Sequence, residues 1–384
     1  MIASARTIYR EKIAPTSGRL LAVDGLRGLI IVLMALDHAM HFVAQKHSSG
    51  EYWGGPFPVY ADPLPFITRF ITHLAAPGFF FLMGVGMIFF AHSRNGAGWS
   101  RWSILRHLWI RGALLIVIQL IIINRAWELS PSGWGVEIYI GVLFALGGAM
   151  IAASFLLWLR PRHLFLALIV LVIGSELLHP EPALWGTIGN DAGSLLLLRP
   201  GGDNQLWSNY PILPWLELVV FGLLFGHWLK SDPDRAYRRG LFLGLIFLVS
   251  FLFVRWLDGF GNIRPRAGQN WIDFLNVVKY PPSLTFTLLT TGVNLIILWL
   301  FSKIAKANSL ILEPLAVFGR APLFFYILHL FFYAGIGYLL APDGTTIGSM
   351  IPYWLLGLLL LFPMCIGYLM FKKSRPQSLL VRYL

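Results

Sequence analysis

Residues 20–43 read LLAVDGLRGLIIVLMALDHAMHFV, an apolar run interrupted near its start by Asp24 and Arg27 and near its end by Asp37, His38 and His41. A helix needs about 20 residues to cross a hydrocarbon core, so this run spans a membrane once. Charge inside a bilayer costs several kcal/mol unless it is paired or faces a cavity, which makes these polar groups functional candidates. At about 100° per residue, the eleven steps from Arg27 to His38 close about three turns, placing both on one face roughly 16 Å apart. Asp24, Arg27, Ile31, Met34, His38 and His41 follow that stripe. Asp24 and Arg27, three apart, can also simply pair with each other, and Asp37 can reach His41 four positions on.

The rest of the chain extends this reading. Hydrophobic residues make up 57% and charged residues 12%, against roughly 25% charged in soluble domains. Ten stretches are long and apolar enough to cross: 20–43, 64–91, 107–124, 136–158, 163–179, 211–229, 240–257, 283–301, 314–340 and 352–371. The fold expected is all-α, a polytopic integral membrane protein of about ten transmembrane helices. A basic arm (1–19) precedes the membrane domain (20–371), and a basic tail (372–384) follows it. The net charge of +12 is explained by placement. With both termini in the cytoplasm, about 20 of the 30 Lys and Arg fall on that side, as the positive-inside rule requires. No soluble module remains to bind nucleic acid. The arm lacks the apolar core and small-residue cleavage pattern of a signal peptide and is expected to lie on anionic headgroups. Membrane lipids are therefore expected partners, with a homodimer as a further expectation. The lone cysteine, Cys365, excludes an internal disulfide.

Further polar groups enter the spans. Arg69, Thr72 and His73 lie in RFITHLAAPGFFFLMGVG, where Pro77 and Gly78 weaken the helix, a break tolerated where backbone lines a cavity. Glu217 enters from the outer side, and Arg320 opens the ninth span with His329 deeper in it. On a straight helix the nine steps from Arg320 to His329 put them on opposite faces. Arg320 is read as a phosphate contact, His329 as packing or support. Outer loops near 44–63, 180–210 and 258–282, rich in Gly, Pro and aromatics, fit either a lid over a pocket or an interfacial aromatic belt. No Glu-x-x-His or His-x-x-x-His pair of the metal-binding helical kind occurs, so no metal is expected.

The runs LAVDGLRGLIIVLMALDH, RFITHLAAPGFFFLMGVG, PPSLTFTLLTTG and FGRAPLFFYILHL, spread over most of the chain, resemble bacterial members of the heparan-alpha-glucosaminide N-acetyltransferase-like family. The resemblance implies a multi-span enzyme of a bacterial inner membrane. It would move an acyl group, by expectation acetyl, from cytoplasmic acyl-CoA to a sugar or other small acceptor. By motif position His38 inherits the functional place at the end of the first helix, where the lysosomal relatives look to have asparagine. Their active histidine falls further on, near His47, which leaves the base open between His38 and His47. His73 aligns with an acidic residue.

Acyl transfer needs a phosphate grip, a base and oxyanion donors. The expected division of labour gives the CoA phosphates to Arg27 and Arg320, with Asp24 orienting Arg27. His38, His73, Asp37 and His47 are the catalytic candidates, and His41, Arg69, Thr72, Glu217 and His329 the substrate-binding ones. Thr72 and His73 would orient His38 or donate to the oxyanion. A transporter is the competing class, since intramembrane ionisable groups also line transport paths, but the hydropathy shows no matching halves.

Overall fold

The computed structural model describes residues 20–47, 50–60, 62–131, 133–375, 378 and 383. The basic arm and part of the tail lie outside the described residues. Helix α1 (Leu21–Ala39) ends in a π-helical turn, Met40–Ala44. Helices α2 (Pro63–Thr72) and α3 (Ala75–Gly96) make one broken span. The break has a cause in the sequence: Pro77 has no N–H for the His73 carbonyl four residues back. Across the break, Asn294 Nδ2 donates to the Leu74 carbonyl at 3.1 Å.

Helix α4 (Arg101–Ile118) runs through a second π turn, Gln119–Ile123, into α5 (Asn124–Glu128). Strand β1 (Ile138–Ile140) leads into α6 (Val142–Ser154), followed by α7 (Pro161–Leu177) and α8 (Ala192–Leu197). Strands β2 (Gly201–Gly202) and β3 (Leu206–Ser208) complete a small sheet of order β1-β3-β2, with β1 parallel to β3 and β2 antiparallel to it. The remaining helices are α9 (Ile212–Ser231), α10 (Pro233–Leu257), α11 (Trp271–Leu275), α12 (Leu284–Ala307), α13 (Glu313–Arg320), α14 (Pro322–Leu340) and α15 (Ile347–Ser374).

The protein is an all-α, multi-pass membrane protein. Among the described residues eight helical segments are long and apolar enough to cross. The expected fourth and fifth spans are shorter, α6 with 13 residues and α7 with 17. Sheet pairing draws residues 138–140 out of the fourth span, and at 1.5 Å per residue the two helices reach only about 20 and 26 Å. Val142 lies in the wall of the His38 chamber, while Ser154 accepts from Trp109 Nε1 at 2.9 Å. Glu176, near the end of α7, accepts from the Leu284 N–H that opens α12.

Helix α1 is the hub, packed against α3, α12, α13, α14 and α15. Its crossing with α13 is backbone to backbone. A Cβ on Gly28 would meet the Leu315 carbonyl oxygen at 1.8 Å, and one on Gly319 the Asp24 carbonyl at 2.0 Å. Small residues at such crossings let helices approach without side chains between them. Arg27, Arg320 and Lys372 line one cavity, so the start of α1, the end of α13 and the end of α15 share one end of the molecule. Helix α10 presents Phe242, Leu245, Ile246, Val249, Leu252 and Phe253 outward, an apolar face suited to lipid.

Candidate active site

Two cavities follow the polar stripe of α1. The larger, about 340 Å³, opens beside Arg27, Arg111, Arg320 and Lys372 and is otherwise lined mainly by apolar side chains of α3, α4, α6 and α14. The smaller, about 40 Å³, is walled by Met34, Asp37, His38, Thr72, Tyr210 and Lys279. Phe79, Val142 and Tyr326 line both, so the two meet end to end.

At the Arg27 end the sequence pairing of Asp24 and Arg27 is present, Arg27 Nη1 donating to Asp24 at 3.1 Å and also to the Gly319 carbonyl at 3.1 Å. Asp24 is shared: Arg320 Nε reaches its other oxygen at 3.3 Å, and Arg320 donates as well to Glu313 at 3.0 and 3.4 Å. Arg111 and Lys372 join them at the cavity wall. Neither was singled out from sequence, although Arg111 lies inside the third apolar run and so carried the signal of an intramembrane charge.

At the other end, His38 Nδ1 lies 2.6 Å from His329 Nε2, and His329 Nδ1 lies 3.0 Å from the Phe325 carbonyl. A carbonyl only accepts, so His329 carries its proton on Nδ1 and offers a lone pair at Nε2. His38 in turn donates from Nδ1, which leaves its Nε2 lone pair unused by this relay. The Trp127 ring stands edge-on to His38 at 5.4 Å. His329 is thus the partner of His38 rather than mere packing. Arg320 and His329 lie on separate helices, because the chain leaves helical geometry at Ala321 before Pro322 restarts it, and they do not share a cavity: Arg320 lines the larger one and His329 meets His38.

Asp37 does not bind His41. It accepts from Arg69 Nη1 at 2.7 Å and Thr72 Oγ1 at 2.8 Å, while His41 Nε2 meets Ser130 Oγ at 2.8 Å. His47 Nε2 lies 3.1 Å from Arg69 and 3.3 Å from Asp37, and in one tautomer it can accept from the first or donate to the second, not both. Arg69 also grips Glu51 with both ends of its fork, at 2.7 and 2.9 Å, and His73 Nε2 donates to Glu51 at 3.3 Å. Thr72 and His73 therefore hold carboxylates, and among the described residues neither hydrogen-bonds to His38. Burial alone would raise the Glu51 carboxyl, but the Arg69 charge and the hydrogen bonds from Arg69 and His73 hold it well below the usual carboxylate range.

Glu217 is placed elsewhere. It accepts from Thr287 Oγ1 at 2.9 Å and lines neither cavity. Glu51 and Lys279 were missed, since no helical spacing links a loop acid to Arg69, or a loop lysine to His38. Among the described residues no group of three or more His, Cys, Asp or Glu is arranged to hold a metal ion.

Fold and site together define a multi-pass membrane protein with a cation-mouthed passage ending at a histidine relay. A family model described as heparan-alpha-glucosaminide N-acetyltransferase, catalytic, matches residues 19–252, and the chain belongs to that family. It is 31% identical over 132 residues to mouse heparan-alpha-glucosaminide N-acetyltransferase, covering 34% of this chain and 18% of the relative. To the human protein of the same name it is 30% identical over 145 residues, covering 37% and 20% respectively. The matched part is thus about a fifth of either relative's length. Lys279, Arg320 and His329 come from beyond the family-model match.

Proposed function

We propose that the protein is a membrane-embedded acetyltransferase that takes an acetyl group from acetyl-CoA and delivers it to a sugar amine or hydroxyl across the membrane. The observation that carries this reading is the meeting of the two cavities. Arg27, Arg111 and Lys372 face the cytoplasm and grip the CoA phosphates, and the apolar 340 Å³ passage accepts the pantetheine arm. Arg320, tied to Asp24 and Glu313, fixes the mouth. The terminal chamber, at about 40 Å³, is small, in keeping with a short acyl group.

In the reaction the acceptor's lone pair attacks the thioester carbonyl carbon while His38 Nε2 takes its proton. The C–S bond then breaks with its electrons on sulfur, and His38 returns the proton to the CoA thiolate. His329 keeps His38 in the required tautomer, as the third member of a triad does. The acceptor enters beneath the loops that carry Glu51 and Lys279. The relatives' name supports an amino sugar with a free amine as first choice of acceptor.

Release of CoA thiol from acetyl-CoA, with an α-glucosaminide as acceptor, tests the reading. His38→Ala is expected to lower kcat by about 10²-fold or more, with acetyl-CoA binding retained. Normal turnover in His38→Ala and loss in His47→Ala would transfer the role of base to His47. A wild-type protein that shows no thermal stabilisation by CoA or acetyl-CoA would sink the acyltransferase reading in favour of transport.

A further inference from the structure

The chamber contains two hydrogen-bond donors that the relay does not use. Lys279 is 3% exposed and lines the chamber beside His38. Its ammonium makes no hydrogen bond or ion pair with the described residues, its near contact being the face of Tyr280, 5.0 Å from the ring centroid. Asp37 in the same wall is engaged by Arg69 and Thr72. Tyr326, 6% exposed, stands where the two cavities meet, and its hydroxyl likewise has no hydrogen-bond partner among the described residues. Both residues line the chamber and neither donor atom is among the sealed, unsatisfied ones, so each is free to donate to a ligand held there.

The position of Lys279 is also fixed from behind. The Glu51 carbonyl accepts from the backbone N–H of Lys279 at 2.9 Å and of Tyr280 at 3.0 Å. The Glu51 side chain is clamped by Arg69. The lysine is therefore carried on the most tightly bonded part of the site rather than on a free loop.

We propose that Lys279 and Tyr326 form the oxyanion site, receiving the carbonyl oxygen of a short acyl thioester. This rests on the acyltransferase reading above. As the acceptor bonds to the carbonyl carbon, the C=O π pair moves onto oxygen, where Lys279 Nζ–H and Tyr326 O–H donate to it. When that pair returns, the C–S bond breaks and sulfur leaves with its electrons. The acceptor's proton travels through His38 Nε2 to sulfur, and neither Lys279 nor Tyr326 gives up a proton. Preorganised donors of this kind act where charge develops, so their loss falls on kcat.

The test uses the full chain in detergent, acetyl-CoA and an α-glucosaminide as probe acceptor. Lys279→Met is expected to lower kcat on the order of 10²- to 10³-fold, and Tyr326→Phe about 10-fold. Acetyl-CoA affinity and the acceptor KM should stay near wild type, and Lys279→Arg should recover part of the rate. Should Lys279→Met fold poorly, Tyr326→Phe decides, because its shape is nearly that of the native side chain. An active wild type with both variants within twofold of its kcat overturns the oxyanion site alone. So does a raised acceptor KM at unchanged kcat, which would make Lys279 an acceptor contact. A wild type with no turnover above the His38→Ala background overturns the acyltransferase reading itself.

Discussion

The two ends of the passage hold their charges differently. At the Arg27 end, cations gather around a cavity of about 340 Å³, and Arg111 and Lys372 line its wall. At the His38 end the cavity is about 40 Å³ and the surrounding groups are locked together, with Arg69 spanning Glu51 and Asp37. An open cationic mouth suits a mobile polyanion. A closed, mutually bonded cluster instead fixes the positions of a few atoms. Deleting a charge should therefore affect stability at one end and affinity at the other.

The largest effect is expected at the closed end. Arg69 is 1% exposed, and Arg69→Met would leave the buried Glu51 carboxylate and the half-buried Asp37 without their cation, at a cost of about 3–5 kcal/mol. Thermal unfolding in detergent would register this, and a melting curve like that of wild type would show that the cluster is no clamp. Next comes the helix crossing that sets the mouth. Gly28→Ala puts a methyl into the Leu315 carbonyl, and overpacking of this kind costs about 1–3 kcal/mol. If instead the variant melts normally and binds acetyl-CoA normally, the tight α1–α13 contact does not shape the cavity.

Arg111→Ala should leave stability close to wild type and weaken acetyl-CoA about 10-fold, equivalent to about 1.4 kcal/mol. Titration calorimetry at two salt concentrations would check it, since the lost contact should also flatten the salt dependence. An unchanged Kd would remove the larger cavity from the phosphate role. The smallest effect concerns pH. The folded state holds the Glu51 carboxyl below its ordinary value, so its contribution is complete above about pH 4.3 and disappears as pH falls through the lower folded value. Glu51→Gln should make the acid limb of the melting profile shallower while keeping the neutral-to-acid order of stabilities. Parallel acid limbs for variant and wild type would show that another group governs acid sensitivity.

Much of this molecule was readable from sequence wherever a single helix supplied the information. Of the stripe, Asp24, Arg27, Met34 and His38 line the two joined cavities or bond to residues that do, whereas Ile31 and His41 line neither. The Asp24–Arg27 pair is present as i, i+3 spacing allows. Where several elements compete for one group, spacing misled. Asp37 lies four residues before His41, but Arg69 and Thr72, from another helix, bring stronger donors to it. The geometry of Arg320 and His329 depended on a break at Ala321 that periodicity could not show. Likewise the fourth span lost its first residues to pairing with a strand nearly seventy positions later.

The sequence by itself determined that the chain is a bundle of apolar helices and that polar groups interrupt its first helix on one face. Hydropathy and the 3.6-residue repeat are local properties, and both act over a single helix. Only the tertiary structure decided which partner each polar group takes: His329 for His38, Glu51 for Arg69, and Lys279 brought to the chamber by a loop carbonyl. The physical reason is desolvation. A buried polar group must find a partner among whatever the fold brings within about 3 Å, and that choice is made between elements distant in sequence.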